Sequence, residues 1–159
     1  MKYTVKNILT TLYFSIALFS FNVINAQDLD KATVKKAVEA HTFTFRAETA
    51  FPMGGNVKQL TPGYDLYLKG DSLSVYLPYY GRAYSAPLPG EGPIKFQSED
   101  FIYKAKIKKK ESWEIIIQPE DTKEVRKMIL RIFDNGNATL MVTSNNRQAI
   151  SFNGYITVQ

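Results

Sequence analysis

The sequence predicts an all-β, mainly antiparallel domain: a small closed or partly open barrel, or a sandwich, of about nine strands with one short N-terminal helix. Three observations support this fold class. Apolar and polar residues alternate with a period of two through most of the chain after residue 42. Short turns rich in Gly, Asn, Asp and Pro separate the alternating runs, and only one segment has helical spacing.

The first 26 residues have the features of a secretory signal peptide. Lys2 and Lys6 precede a largely apolar run over residues 8–23, and the small residue Ala26 suits cleavage before Gln27. A membrane anchor is the alternative interpretation, but polar residues interrupt the run, which is short for the ~20 apolar residues of a spanning helix. The mature protein is therefore predicted to be periplasmic or secreted, with no transmembrane span after cleavage.

Composition narrows the classes of function. The chain has no cysteine, so it has no lipid-anchoring cysteine after the leader, no disulfide and no thiolate ligand for a metal. Its formal charge of +5 falls to +3 when Lys2 and Lys6 leave with the leader, and that is too small to indicate a nucleic-acid partner. The dense basic cluster of Lys106, Lys108, Lys109 and Lys110 is typical of an exposed strand edge and turn, and the alternative is a surface that attracts anionic lipid or glycan.

Residues 27–159 are predicted to form one domain, in which residues 27–41 contain the helix and residues 42–159 form an antiparallel β meander. Asp28 or Asp30 can cap the start of the helix. The apolar positions at helical spacing are Val34, Ala37 and Val38.

In the meander, the alternation assigns one face of each strand to the core. A membrane barrel would place the apolar residues outward, so the lysines of strand 101–108 would have to fill a narrow lumen; we therefore expect a barrel with apolar residues inside. The aromatic residues expected inside this barrel are large enough to fill a narrow interior. The residues expected inside are Phe43, Phe45, Ala47, Leu66, Leu68, Leu73, Val75, Leu77, Phe101, Tyr103, Ala105, Ile107, Trp113, Ile115, Ile117, Met128, Leu130, Ile132, Leu140, Val142, Ile150, Phe152 and Ile156.

The connections between strands are predicted to lie at two ends of the barrel, because each connection in a simple meander reverses the chain. One end would carry segments 52–63, 78–93, 109–112 and 134–137. The other end would carry the turns at 70–71, 99–100, 119–123 and 144–148. The two long Gly- and Pro-rich segments, 52–63 and 78–93, would then meet.

Three segments of the chain are distinctive: MGGNVKQLTPGYDL (53–66), LPYYGRAYSAP (77–87) and FDNGNATLMVTSNNRQAISFNG (133–154). They resemble the signature stretches of a bacteroidete family of secreted proteins, the family of domain of unknown function 4251, and the resemblance extends through most of the chain after the leader. It implies a secreted, mostly β single domain with no assigned activity and no catalytic residue to carry over. Many members resemble lipoproteins with a cysteine after the leader, and this sequence departs from them there.

No residue pattern indicates an enzyme. His41 is the only histidine, and no motif places a nucleophile and an orienting acid beside it, so we expect a residue suited to the helix dipole. The adjacent acids Glu99-Asp100 and Glu120-Asp121 point apart on an extended chain, and no calcium-loop motif is present. We expect neither catalysis nor a cofactor nor a metal.

The best candidate site is the aromatic segment 78–93, where it would meet segment 52–63 at one barrel end. Tyrosine faces and an arginine fork there would suit a small apolar ligand or a glycan. The candidate binding residues are Tyr79, Tyr80, Arg82, Tyr84, Asn56 and Gln59. The alternative is structural, with the tyrosines capping the barrel end and Arg82 bonded to loop carbonyls. A second, weaker polar site, which also suits an ordinary turn, is Asn145, Asn146, Arg147 and Gln148.

Two functions remain open. The first is a non-catalytic binding module for a small apolar or glycan ligand at the barrel end formed by segments 52–63 and 78–93. The second is an envelope protein–protein interaction domain with a filled interior and no small ligand, which holds its partner at a sheet edge or at the tyrosine segment. The number of large aromatic residues expected inside favours the second function.

Overall fold

The computed structural model of the chain describes residues 29–82, 92–108 and 112–158. The predicted signal peptide lies outside the described residues. Within them the chain forms helix α1, Lys31–Glu39, and ten strands. The strands are β1 Thr42–Pro52, β2 Lys58–Gln59, β3 Asp65–Lys69, β4 Ser72–Leu77, β5 Ile94–Ser98, β6 Phe101–Lys108, β7 Ser112–Pro119, β8 Val125–Ile132, β9 Asn137–Ser144 and β10 Ile150–Thr157.

Nine of these strands form a nearly closed barrel in the order β5-β4-β3-β1-β10-β9-β8-β7-β6, and the short β2 pairs with β1. Every neighbouring pair is antiparallel. The predicted fold class, an all-β barrel of about nine strands with one short helix, is thereby confirmed. Within the described ranges, no helix is long and apolar enough to cross a membrane.

Helix α1 begins at an aspartate cap and packs near the start of β1 and the middle of β6. The Oδ1 atom of Asp30 accepts a hydrogen bond from the backbone N–H of Thr33 at 2.8 Å. At the other end, His41 adopts a left-handed backbone conformation with φ 51°, and its ring centroid lies 3.9 Å from that of Tyr103. The Tyr103 hydroxyl donates to the carbonyl oxygen of Val38 at 3.0 Å, and its burial raises the pKa of Tyr103.

The barrel interior is filled by the apolar faces of its strands. Phe43, Phe45 and Phe152 are fully buried, and Trp113 is buried as well. All the residues expected inside are buried except four on β6, so the alternation predicted the core correctly on the other strands. The remaining confirmed core residues are Ala47, Leu66, Leu68, Leu73, Val75, Leu77, Ile115, Ile117, Met128, Leu130, Ile132, Leu140, Val142, Ile150 and Ile156.

Strand β6 departs from the prediction. Phe101 and Tyr103 are half-buried, whereas Ala105 is exposed and Ile107 is 73% exposed. The reason is that β6 is the last strand in the sheet order and pairs with β7 alone among the described strands. The second half of β6 therefore has no neighbouring strand to cover its inner face, and the expectation that Ala105 and Ile107 are buried was wrong.

Strands β5 and β6 run in the same direction, because an even number of antiparallel pairings separates them in the sheet order. Glu99 and Asp100 therefore form a bend between two strands that continue one path, and the predicted chain reversal at 99–100 was wrong.

This bend changes which connections share a barrel end. β1 and β4 run in the same direction because both pair antiparallel with β3, so the segments after Pro52 and Leu77 start at one end, as predicted. β7 and β9 also run in that direction, so the turns that follow Pro119 and Ser144 lie at this same end. The sequence prediction had placed those two turns at the opposite end. It had also placed segments 109–112 and 134–137 with the segments after Pro52 and Leu77, which was wrong, because β6 and β8 run in the other direction and their following connections lie at the other end.

Asp121 holds the bend in place from the β7–β8 turn. Its Oδ2 atom accepts hydrogen bonds from the backbone N–H groups of Glu99, at 3.0 Å, and Asp100, at 3.4 Å. The backbone N–H of Glu120 also donates to the carbonyl oxygen of Asp100 at 2.8 Å. The pKa of Asp121 is lowered, first by a hydrogen bond from the Ser98 hydroxyl and then by those two backbone donors.

We expect Asp121→Asn to destabilise the protein in a pH-dependent way. Because the folded-state pKa of Asp121 lies below its unfolded value, the carboxylate stabilises the fold fully above about pH 4 and loses this effect as the pH falls through the folded-state pKa. Urea unfolding should therefore show a lower free energy of unfolding for the variant than for the wild type at neutral pH. This difference should shrink near about pH 3.

The matched control is Asp71→Asn, which changes an exposed aspartate in the β3–β4 turn. Its effect on the free energy of unfolding should stay within about 0.5 kcal/mol at both pH values. If the difference in the free energy of unfolding between Asp121→Asn and the wild type did not change with pH, the assigned role of the Asp121 carboxylate would be contradicted.

Candidate functional site

The tyrosine segment after β4 is bonded to the turn between β9 and β10. The Tyr79 hydroxyl lies 3.0 Å from the carbonyl oxygen of Arg82 and 3.1 Å from that of Gln148. The backbone N–H of Gln148 donates to the carbonyl oxygen of Arg82 at 3.0 Å, and the backbone N–H of Arg82 donates to Oε1 of Gln148 at 3.3 Å. These bonds join residues of the two predicted sites at one barrel end.

Arg147 connects three loops at the same place. Its Nη1 atom donates to the carbonyl oxygen of Gly92 at 2.9 Å, and its Nη2 atom lies 3.1 Å from Oε1 of Glu124. The guanidinium carbon lies 5.0 Å from the centroid of the Tyr79 ring, at cation–π distance. The side chain is only 11% exposed. Arg147 therefore has the carbonyl-bonding role that the structural interpretation of the sequence gave to Arg82.

Arg147→Ala is expected to lower the free energy of unfolding by about 2–3 kcal/mol, because it removes a charge-assisted hydrogen bond and an ion pair from a largely buried position. Arg82→Ala is the matched control. The Arg82 side chain is exposed, and the bonds described for this residue use its backbone, so its loss should cost less than about 0.5 kcal/mol. Thermal and urea unfolding of both variants measure the difference. Equal losses of stability in the two variants would contradict the carbonyl-bonding role assigned to Arg147.

The other residues of the predicted sites are spread over this end of the barrel. Tyr80 is 42% exposed, and Asn56 and Asn146 are exposed. The Nδ2 atom of Asn145 donates to the carbonyl oxygen of Lys123 at 2.8 Å, which ties the β9–β10 turn to the β7–β8 turn. Tyr84 lies outside the described residues. Gln59 lies in β2, where its Oε1 atom accepts from the Thr49 hydroxyl at 3.2 Å.

Gln59 belongs to a groove on the outer surface of β1, which we call the β1 groove. Its volume is about 350 Å³. Neighbouring positions on three strands contribute to it, since Arg46 on β1 pairs with Asp65 on β3 and with Tyr155 on β10. Its lining residues are Arg46, Ala47, Glu48, Thr49, Gln59, Leu60, Pro62, Gly63, Asp65 and Tyr155.

A β-bulge in β1 shapes this groove. The pairing of β1 with β10 shifts register between Ala47 and Thr49, so Glu48 has no direct partner on β10. On the other side, the backbone N–H of Leu60 donates to the carbonyl oxygen of Glu48 at 2.8 Å. Gly154 lies opposite Ala47, and a Cβ atom there would overlap the carbonyl oxygen of Arg46. Glycine at this position permits the close approach of β10 to the bulge.

The β6 edge, defined as the side of Phe101–Lys108 that does not face β7, is a second exposed feature. Lys104 and Lys106 are exposed on its outer face. Lys108 is bonded to Glu114 on β7, with Nζ 3.0 Å from Oε1, and Arg131 binds the other carboxylate oxygen at 3.3 Å. The Lys108 contact, followed by that of Arg131, lowers the pKa of Glu114.

The sequence did not indicate Arg46, Asp65 or Tyr155 as site residues. Each is an ordinary outward position of an alternating strand, and they become neighbours only through the register of β1 with β3 and β10. The one local signal is the Pro62-Gly63 break between β2 and β3, which interrupts the strand beside the groove. Among the described residues, no group of three or more His, Cys, Asp or Glu side chains is arranged to hold a metal.

Comparisons with known proteins agree with the fold. The model of the family described as domain of unknown function DUF4251 matches residues 25–156. Among solved structures, the chain is similar to the crystal structure of a DUF4251 family protein from Bacteroides eggerthii DSM 20697, with a TM-score of 0.63, 14% sequence identity, and coverage of 84% of this chain and 90% of that chain. No curated protein matches the chain. Because the family model spans most of the sequence, the chain belongs to the DUF4251 family.

Proposed function

We propose that the protein is a non-catalytic interaction domain of the cell envelope that holds an extended segment of a partner protein along the β6 edge. The filled interior supports this function over a ligand inside the barrel, since the large aromatic side chains of the core are buried. These side chains are Phe43, Phe45, Trp113 and Phe152.

The barrel end offers weaker support for the small-ligand function predicted there. Tyr79 and Arg147 bind the neighbouring loops and each other, so their polar groups already have partners in the fold. Exposed Tyr80 and the exposed side chain of Arg82 remain available to contact a partner. An apolar or glycan ligand between segments 52–63 and 78–93 is therefore the second candidate function.

The exposure of the β6 edge is the observation that carries the proposal. Among the described strands β6 pairs only with β7, so its other side presents backbone N–H and C=O groups that an added strand can bond. Ile107 on the inner face is 73% exposed, and Ile102 is 37% exposed. An added strand would bring apolar side chains against Ala105 and Ile107, as the neighbouring strand does elsewhere in the barrel.

The charges of β6 select the partner. Lys104 and Lys106 are exposed, and neither forms an ion pair with another described residue. Lysines of this kind prevent pairing between two copies of the same edge, because they would bring like charges opposite each other. They favour a strand with acidic residues on its outer face. The proposed partner is therefore an extended segment in which acidic and apolar residues alternate.

The test is the binding of a synthetic peptide of alternating glutamate and valine, compared with a peptide of the same composition in which the two residue types are grouped. We expect the alternating peptide to bind about tenfold more tightly, because only that order places every carboxylate on the lysine side. Fluorescence anisotropy of the labelled peptides gives both values of Kd. The affinity should fall with added salt, since exposed charges are screened over ~10 Å at 0.1 M.

Matched variants locate the binding site. Lys106→Glu should weaken binding of the alternating peptide about tenfold, whereas Arg126→Glu, the same change of charge at an exposed position on β8, should not. Ile107→Ser should weaken binding while it changes the free energy of unfolding by less than about 0.5 kcal/mol. Equal binding of the two peptides, or equal effects of the two charge reversals, would refute the proposal.

The proposal that the protein is exported to the cell envelope and does not catalyse a reaction rests on the sequence. The basic start, the apolar run and the small residue Ala26 support export and cleavage before Gln27. N-terminal sequencing of the exported protein should begin at Gln27, and the protein should not incorporate labelled fatty acid. Retention of residues before Ser20 would contradict this prediction.

A further inference from the structure

We infer that the β1 groove is a binding site for a short neutral glycan. This site is separate from the β6 edge, because β1 and β10 occupy the middle of the sheet order that begins at β5 and ends at β6. The groove therefore lies on the opposite side of the barrel from the gap between β5 and β6, and the domain can hold a glycan and a protein segment at the same time.

The groove presents polar side chains that have unused hydrogen-bonding capacity. Arg46, Glu48 and Asp65 line it, and none of these three side chains forms a hydrogen bond or an ion pair with another described residue. The Oε1 atom of Gln59 accepts from the Thr49 hydroxyl, which orients the amide and leaves its NH₂ group as a donor. The site thus offers donors and acceptors that have no partner among the described residues, beside one oriented amide.

The apolar part of the lining suits the carbon face of a sugar ring. Tyr155 supplies a half-buried aromatic ring, and Leu60 and Pro62 supply aliphatic surface. Planar groups such as guanidinium, carboxylate and amide can each bond two adjacent hydroxyls, and an aromatic side chain combines an apolar face with a polar tip. A ring with hydroxyls at its rim and carbon–hydrogen bonds on its face matches both parts of the groove.

The charges and the volume limit the ligand further. One guanidinium and two carboxylates line the groove, so a ligand of either charge would meet a group of its own sign beside one of the opposite sign. A neutral ligand that hydrogen-bonds to these groups avoids the repulsion. The volume of about 350 Å³ lies at the lower end of the ~300–1,000 Å³ range for small-molecule sites. That size favours a mono- or disaccharide unit over a long glycan.

The test is a titration of the isotope-labelled protein with maltose, cellobiose, lactose and N,N′-diacetylchitobiose, followed by two-dimensional NMR. At least one of these neutral disaccharides should shift the backbone amide signals of Gly63, Asp65 and Tyr155 and leave that of Ile107 in place. Absence of shifts with all four at millimolar concentration would overturn the proposal. Shifts confined to Tyr80 and Arg82 would also overturn it and would place the sugar at the barrel end.

Variants of exposed groove residues separate binding from folding. Arg46→Ala and Gln59→Ala should each weaken the binding of the sugar about tenfold, whereas Arg126→Ala should leave it unchanged. All three should keep the dispersed spectrum of the folded protein. Unchanged affinity in Arg46→Ala would overturn the assignment, as would tighter binding of glucuronic acid than of any of the neutral sugars. Binding of the acidic–apolar peptide to β6 is measured independently, so either proposal can fail alone.

Discussion

Gly154→Ala is expected to lower the free energy of unfolding by more than about 3 kcal/mol, above the ~1–3 kcal/mol that is usual for added volume in a packed structure. An added Cβ atom would overlap the carbonyl oxygen of Arg46 and lie 3.2 Å from the Cα atom of Ala47. Both are backbone atoms of β1, which is held between β3 and β10, so they cannot rotate away. Urea unfolding followed by the fluorescence of the buried Trp113 measures the loss.

Gly92→Ala is the control for Gly154→Ala. An alanine methyl group at Gly92 would meet no heavy atom within 4 Å, so this variant should stay within about 0.5 kcal/mol of the wild type. If Gly154→Ala were equally mild, β10 would not approach the bulge of β1 as closely as described. The β1 groove would then have a different shape, because the bulge positions Glu48 beside it.

The period of two predicted most of the interior because it reports which residues share a face of a strand. Trp113 alternates with Glu114 on β7 in the same way that Ile107 alternates with Lys106 on β6. Yet Trp113 is 5% exposed and Ile107 is 73% exposed. The difference is the position of each strand in the sheet, since β7 has neighbours on both sides and β6 has one described neighbour. Local alternation contains no information on whether another strand covers a face.

The bend between β5 and β6 escaped prediction for a related reason. Glu99 and Asp100 are residues that turns favour, and by themselves they suit a reversal of the chain. Their backbone N–H groups are instead bonded by the Asp121 carboxylate, more than 20 residues away. This contact between distant segments fixes the same direction for β5 and β6. The assignment of connections to barrel ends depended on that one bend, so the four connections that follow β6, β7, β8 and β9 were all placed at the wrong end.

The candidate sites could be predicted only in part. The sequence indicated Tyr79 and Arg147 as members of two separate sites, and the fold brings them together at one barrel end, with the guanidinium over the ring. Gln59 was expected at that end and lies in the β1 groove. The neighbours that give this groove its chemistry, Arg46 and Tyr155, are over 100 residues apart and meet through strand register. Register is set by the complete sheet and cannot be read from one strand.

Phe152→Ala is expected to lower the free energy of unfolding by about 3–5 kcal/mol, the cost of removing a large buried aromatic side chain. Phe152 is fully buried on β10, where its register partners are Ala50 on β1 and Leu140 on β9. The register partner on β1 has a small side chain, which leaves room for the ring of Phe152. Urea unfolding at neutral pH provides the measurement.

Phe51→Ala is the matched control, because Phe51 belongs to the neighbouring strand β1 but is 37% exposed. Its loss should cost about 1 kcal/mol or less. The comparison also bears on function. A cost of less than about 1 kcal/mol for Phe152→Ala would mean that the interior has free space around the ring, which would favour a ligand inside the barrel. The larger expected cost requires a filled interior, and a filled interior would leave the outer surface, with the β6 edge and the β1 groove, as the part of this barrel for which we propose binding.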